Sequence, residues 1–319
     1  MRPHVITAAA DSVAAQFVGV STFAQRLRQT VVHAAPLTIP VHITGPSGAG
    51  KEVVAELLHS LSRRTGAFVA VNAASIPTDL VESILCGHAR GAFTGASDRT
   101  NGVVEDARGG TLFLDEIASA SRATQGALLR ILDGRPYRPV GGGPERQPSC
   151  RIVSASNESL ADAVREGVFR RDLYYRLVGV ELALIPLRDR RDDIGPIADV
   201  LLARAAAASG YQRRLSAAAR QRLEHEPWPG NVRQLRWVIE RAVAFAKRDE
   251  IKEVDLGLRD APEPAPVSPH PLAAQLAEHG FDVRRLAAHH GVHPATVYRW
   301  LEAEGIEAPR RSAARRGRQ

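Results

Sequence analysis

The segment Gly45-Pro46-Ser47-Gly48-Ala49-Gly50-Lys51 sets its glycines and lysine at the spacing G-x-x-x-x-G-K. Glycines at such positions let backbone N–H groups turn inward and cradle phosphate oxygens. The apolar run Val41–Thr44 before the loop reads as a strand. After it, Val53, Val54, Leu57, Leu58 and Leu61 recur at helical spacing. The loop therefore opens onto a helix N-terminus, whose positive end adds to an anion site. Lys51 supplies a point charge for the β- and γ-phosphates. Glu52 stands where Ser or Thr commonly holds magnesium, so spacing alone leaves the metal arrangement irregular. A second segment, Gly109-Gly110-Thr111-Leu112-Phe113-Leu114-Asp115-Glu116, is an apolar strand ending in two carboxylates. Asp115 is suited to hold Mg2+, directly or through water, and Glu116 to polarise an attacking water. Adjacent acids at a strand end can also be a helix-capping feature. Downstream of this loop they point instead to binding and hydrolysis of ATP.

Positioning these groups requires a sheet. Five runs read as strands: Val41–Thr44, Phe68–Asn72, Thr111–Asp115, Arg151–Asn157 and Gly179–Leu184. Helical patterns separate most of them, including Leu128, Leu129 and Leu132 after the third strand. The alternation predicts an α/β fold with a mostly parallel sheet covered on both faces. Beyond Pro186 the pattern becomes helical, with helices expected over Ile194–Ala208, Ser216–Glu226 and Asn231–Ala246, an all-helical subdomain. Pro227 and Pro229 break the chain around Trp228 just before the last of these.

The 319 residues allow one large core and one or two small domains. No apolar run approaches the ~20 residues needed to span a bilayer, so no membrane partner is expected. Met1 to Gln16 lacks the layout of a secretory signal. Cys86 and Cys150 are too few and too far apart for a metal site or a disulfide framework, which makes a reducing cytoplasm the simplest setting. Net charge is +7, with Arg310, Arg311, Arg315, Arg316 and Arg318 crowding the end. Such a tail reads equally as a nucleic-acid contact or a solvated end. Five prolines between Ala261 and Pro271 mark a semi-rigid linker. After it, Val283–His290 and Ala295–Glu304 read as two helices joined through Gly291, with His293 as cap and Pro294 at the first helical position. This is a helix-turn-helix pattern, with His293, Thr296 and Arg299 as candidate base-edge contacts near the start of the second helix. A helical hairpin used for dimerisation is a compatible reading, since such domains bind palindromes as dimers.

Between the two ATP motifs lies Gly91-Ala92-Phe93-Thr94-Gly95-Ala96. This hexapeptide resembles the signature loop of the bacterial enhancer-binding proteins, the AAA+ activators of sigma-54 RNA polymerase. The resemblance runs from about Phe17 to Ala246. It includes Gly87-His88, the segment from Phe169 to Leu177, and Trp228-Pro229-Gly230-Asn231-Val232-Arg233-Gln234-Leu235. The family normally carries Glu after the phosphate-loop lysine, which accounts for Glu52. The two C-terminal helices resemble the family's Fis-type domain.

The resemblance implies a role for each matching position. Asn72 corresponds to a switch asparagine that holds the catalytic glutamate, and Asn157 to a sensor of the γ-phosphate. Arg170 and Arg176 correspond to arginines that reach a neighbouring subunit's ATP, and Arg233 to the lid's sensor arginine. Phe93 and Thr94 form the tip that touches sigma-54, and Tyr137–Gly142 resembles a second loop that moves with it. Trans-acting arginines, which can contribute ~10³–10⁵-fold in rate, imply a homo-oligomer, from dimer to hexameric ring. The expected partners are the sigma-54 RNA polymerase holoenzyme and enhancer DNA.

The implied division is 1–16 N-terminal tail, 17–185 α/β ATPase subdomain, 186–258 helical lid, 259–272 linker, 273–308 helix-turn-helix domain and 309–319 basic tail. Family members usually carry an N-terminal sensory domain. The ATPase region begins here by Phe17, so control by a regulatory protein acting in trans, an inhibitor or partner, or by expression level is an expectation. The sequence departs from the family at Pro46, Ala49, Cys86, Ala89-Arg90 and Ser119–Ser121, none of which removes a phosphate or magnesium ligand. Competing readings are a DNA-binding regulator in which ATP only switches assembly, and an AAA+ helicase or replication loader.

Overall fold

The computed structural model describes residues 14, 16–258, 276, 282–290, 292 and 294–303. The chain divides into two compact units, Met1–Gly257 and Leu258–Gln319.

In the first unit, helix α1 (Thr22–Ala34) is capped by the Ser21 hydroxyl and buries Ala24, Leu27 and Val31. Strand β1 (Val41–Thr44) leads through the phosphate loop into α2 (Lys51–Ser60). Then come β2 (Phe68–Asn72), the short helices α3 (Val81–Cys86) and α4 (Val103–Asp106), and β3 (Thr111–Asp115). Helix α5 (Arg122–Leu132), β4 (Arg151–Ser156), α6 (Leu160–Arg165), α7 (Arg171–Leu177) and β5 (Val180–Ala183) complete the layer.

The five strands pair in the order β2-β3-β4-β1-β5, every pair parallel. Alternation along each strand divides the side chains between two cores. Val41, Ile43, Phe113, Val153 and Leu182 pack with α1 and α2 on one face. Leu112, Leu114 and Ile152 pack with residues of α3 to α7 on the other. A parallel sheet buried on both faces brings the C-terminal ends of β1, β3 and β4 to one edge, where loops can gather around a ligand.

The lid follows as α8 (Ile194–Ser209), α9 (Ala217–His225) and α10 (Asn231–Phe245). It is not wholly helical: β6 (Arg214–Leu215) and β7 (Glu250–Ile251) form a two-residue parallel pair. Two residues carry no readable alternation, so the sequence pattern could not announce them. In the second unit, α11 (Val283–His289) and α12 (Pro294–Ala303) enclose a small core of Leu276, Val283, Leu286, Ala287, Val297 and Leu301. These apolar side chains pack the two helices together.

Candidate functional site

The phosphate loop is shaped by three glycines with positive φ: Gly45 at 149°, Gly48 at 74° and Gly50 at 108°. A Cβ on Gly48 would lie 2.5 Å from the Gly230 carbonyl oxygen, and one on Gly45 would lie 2.6 Å from that of Leu184. Here glycine is needed both for conformation and for close backbone approach. Lys51 Nζ donates to the Gly45 carbonyl at 2.7 Å, the Pro46 carbonyl at 3.3 Å and Asn157 Oδ1 at 2.6 Å. Partial burial lowers the Lys51 pKa, and Asp115 and Glu116 oppose that shift. The ammonium thus sits among polar groups of the very loop that would take phosphate.

Asn72 and Asp115 are partners in the β2–β3 register, which brings the two strand ends side by side. Asp115 Oδ1 accepts from the Glu116 backbone N–H at 2.9 Å. Glu116 has φ 52°, left-handed for a residue with a side chain. Such conformations cost on the order of 1–3 kcal/mol and gather at functional sites. Asn72 Nδ2 donates to Glu116 Oε2 at 3.2 Å, and Asn72 Oδ1 accepts from Ala74 N–H at 2.9 Å. The carboxylate is thus held by an asparagine that is itself fixed to its own turn.

The lid closes this edge through Asn231 and Arg233. Asn231, buried and at φ 51°, donates through Nδ2 to the Ser47 carbonyl at 2.9 Å. Its Oδ1 accepts from Leu187 N–H at 2.8 Å. Val232 N–H donates to the Gly48 carbonyl at 3.0 Å, and Arg233 Nη1 to Ser47 Oγ at 3.1 Å. Trp228, fully buried at φ 47°, donates its indole N–H to the Leu223 carbonyl at 2.8 Å, which anchors the turn. Between the phosphate loop, the end of β3 and the lid lies a cleft of about 390 Å³ lined by Ser47, Gly48, Lys51, Glu52, Asp115, Glu116, Asn157, Arg233 and Arg236, among others.

Several of the sequence-predicted residues lie elsewhere. Arg170 pairs with Asp172 at 2.7 Å and Arg176 with Asp133 at 3.1 Å, both half exposed and outside the cleft lining. In the Gly91–Ala96 loop, Gly91 has φ 76° and Gly95 φ 101°, with open space where a Cβ would stand. Gly91 N–H donates to the Ala96 carbonyl at 2.8 Å, and Ala96, buried, donates to the Phe93 carbonyl at 3.0 Å. Ala92 meets Gly141, where an added Cβ would come within 2.6 Å. Phe93 is 37% exposed and rests edge-on against His88, ring centroids 5.0 Å apart. Below the tip, Ala89 N–H donates to the Val140 carbonyl at 2.8 Å and Val140 N–H to the Gly87 carbonyl at 2.9 Å, so the second loop is laced to the first. In the second unit, Thr296 is half-buried on α12 and Arg299 falls on the same helix, while His293 lies outside the described residues. Trp300 stacks edge-on against His290 at 5.7 Å.

Sequence reasoning missed the groups beside the phosphate loop. A small cavity of about 110 Å³ is lined by Phe17, Val18, Ala49, Arg190, Ile197 and Leu201, among others, and shares Gly50, Val53 and Val232 with the larger cleft. Arg190, buried, donates to the Ala49 carbonyl at 2.8 Å and lies 5.3 Å over the Phe17 ring. Its partner in charge, Asp193, accepts from Val20 N–H at 2.6 Å, Ser21 N–H at 2.7 Å and the Ser21 hydroxyl at 2.8 Å. Asn231 lay within a quoted motif, but only its φ and its two partners reveal it as the joint between lid and phosphate loop.

Residues 17–183 match the sigma-54 interaction domain. The chain belongs to that family. Residues 188–266 match the AAA+ ATPase lid domain and residues 272–310 a homeodomain-like domain. The chain is 40% identical over 314 residues to the C4-dicarboxylate transport transcriptional regulatory protein DctD of Rhizobium meliloti, covering 94% of this chain and 66% of that protein. It is 43% identical over 249 residues to the response regulator PilR of Pseudomonas aeruginosa, covering 77% of this chain and 56% of that protein. It thus spans roughly half to two thirds of the length of these curated relatives. Among solved structures, NtrX from Brucella abortus in complex with ATP is 32% identical with a TM-score of 0.68, covering 91% of this chain and 69% of that one. The same protein in complex with ADP gives a TM-score of 0.69. This member of the sigma-54 interaction family therefore combines an AAA+ nucleotide fold and lid with a C-terminal helix-turn-helix unit. No described helix is long and apolar enough to cross a membrane.

Proposed function

We propose that this chain hydrolyses ATP and uses the energy to remodel closed complexes of sigma-54 RNA polymerase through the Gly91–Ala96 loop, while its C-terminal helices bind enhancer DNA. The observation that carries the reading is the convergence of Lys51, Asp115, Glu116, Asn157 and Arg233 on one cleft, with Asn72 bonded to Glu116. Bound triphosphate would take Lys51 from the Gly45 and Pro46 carbonyls. Arg233, on the lid, would reach the same phosphates from the other side. Asn72 holds the Glu116 carboxylate away from water until the γ-phosphate is sensed through Asn157, and release then frees Glu116 to orient the nucleophile. The small apolar cavity beside Phe17 and Arg190 suits the adenine ring.

Asp115 uses one carboxylate oxygen on the Glu116 N–H, and no group of three or more metal-ligating side chains exists among the described residues. A single carboxylate fits Mg2+, which is usually held by one or two carboxylates together with phosphate oxygens and water. When bound, the ion neutralises phosphate charge. Arg170 and Arg176, exposed and outside this cleft, are assigned to a neighbouring copy's ATP. Hydrolysis then depends on assembly into a ring, from dimer upward to a hexamer. The lacing of Val140 to Gly87 and Ala89 supports joint movement of the two loops.

The test is in vitro transcription with sigma-54 polymerase, with and without ATP. The wild-type chain should support ATP-dependent transcripts. Thr94→Ala should lose them and keep ATP hydrolysis and DNA binding. Transcription that survives Thr94→Ala would remove the remodelling claim and leave an ATP-switched DNA-binding regulator.

A further inference from the structure

The central strands carry a polar line that the site described above does not use. His42 on β1 has no exposed surface. Its Nδ1 lies 2.9 Å from Ser154 Oγ and its Nε2 lies 3.1 Å from Ser156 Oγ, both on β4. The register pairs His42 with Ser154 and Thr44 with Ser156, so the ring and both hydroxyls project from one face of the sheet. Ser156 Oγ also lies 2.5 Å from the Glu158 carbonyl oxygen.

These contacts fix the direction of every proton. A carbonyl can only accept, so the Ser156 hydroxyl donates to Glu158. Having given its one hydrogen, Ser156 must accept from His42, which places the imidazole proton on Nε2. His42 Nδ1 is then an acceptor, and the Ser154 hydroxyl donates its hydrogen bond to it. The line runs Ser154 to His42 to Ser156 to the Glu158 carbonyl. Its last two members flank Asn157, whose Oδ1 receives the Lys51 ammonium. Ser156 also receives the Gly45 N–H on its backbone carbonyl at 3.2 Å, joining the start of the phosphate loop to the same point.

We propose that His42 is a positioning residue for ATP hydrolysis: through Ser156 and Glu158 it fixes the backbone on both sides of Asn157 and so aims that amide at the γ-phosphate. The proposal rests on the reading of Asn157 as the γ-phosphate sensor. Burial holds the imidazole neutral, its pKa lowered to about 4, as a one-donor, one-acceptor link requires.

The experiment uses the full chain at concentrations that saturate assembly. It measures steady-state ATP hydrolysis and the affinity for a fluorescent ADP analogue in His42→Leu, His42→Asn, His42→Gln, Ser156→Ala and Asn157→Ala. A glutamine amide can reach the Ser156 position, whereas asparagine is one carbon shorter. His42→Leu, His42→Asn and Ser156→Ala should therefore lower kcat about 10- to 100-fold, the scale of a small misplacement in a reacting site. ADP affinity should stay within about twofold, because the analogue carries no γ-phosphate. His42→Gln should recover most of kcat, and the His42→Leu, Ser156→Ala double variant should be no worse than either single. In ¹⁵N NMR the His42 ring should show the Nε2–H tautomer. Wild-type kcat in His42→Leu, with Asn157→Ala impaired, would overturn the positioning role alone. Equal loss of ADP affinity and kcat in all the His42 variants, glutamine included, would reduce His42 to a core residue. Wild-type kcat in Asn157→Ala would overturn the sensor reading itself.

Discussion

Glycine does opposite work in two loops of the first unit. In the phosphate loop, a Cβ on Gly45 or Gly48 would strike the backbone of β5's end or of the lid turn. In the Gly91–Ala96 loop, a Cβ on Gly91 or Gly95 would meet nothing within 4 Å. At its glycines one loop is enclosed by backbone that must not move, and the other stands in open space. A site that binds phosphate gains from fixed dipoles, whereas sparsely packed backbone opens and moves at lower cost. The contrast teaches that the same motif letter can report packing in one place and freedom in another.

The largest effect is expected at the carboxylate beside the phosphate loop. Glu116→Gln should retain ATP binding and lose turnover by roughly 10²–10⁴-fold, the range for removing a general base; wild-type hydrolysis rates would sink its role. Next comes the glycine contrast. Gly48→Ala should abolish nucleotide binding in a calorimetric titration, because backbone at 2.5 Å cannot yield cheaply. Gly91→Ala carries only the backbone strain of its φ and should bind ADP like wild type. Equal binding by both variants would dissolve the distinction.

A third test concerns acid stability of the enclosed region. Burial lowers the His42 pKa from 6.5 to about 4. Between those values the unfolded chain binds a proton that the folded chain refuses. Stability from this group is therefore complete above pH 6.5 and falls as pH drops toward 4, by about 3 kcal/mol in all. His42→Leu should flatten that part of the stability profile in chemical denaturation. The smallest effect is expected at the lid joint. Asn231→Ala strands the buried Leu187 N–H and places alanine at φ 51°, a loss of about 2 kcal/mol. A thermal melt should show it, with a matching fall in ADP affinity as the lid loosens from Ser47.

Much of this was legible in advance. All five strands, both carboxylates and the phosphate loop could be read, because strand periodicity and turn glycines are written in consecutive residues. The helical reading of the lid overlooked the β6–β7 pair, whose two residues per strand leave no pattern. Arg190 and Asp193 belong to the charged run from Arg188 to Asp193, and nothing local says that both are buried. Nothing in the strand pattern singles out His42. Its meaning depends on two serines more than 100 residues away.

Consecutive residues carry the glycine spacing of the phosphate loop, the strand that ends in Asp115 and Glu116, and the family to which these motifs belong. Local spacing sufficed, since each is built from neighbours along the chain. It took the packed fold to set Asn72 on Glu116, Lys51 on Asn157 and Asn231 on Ser47, and to leave Gly91 and Gly95 in open space. Those facts rest on hydrogen bonds and steric approach between residues that only folding brings together, so no window of sequence contains them.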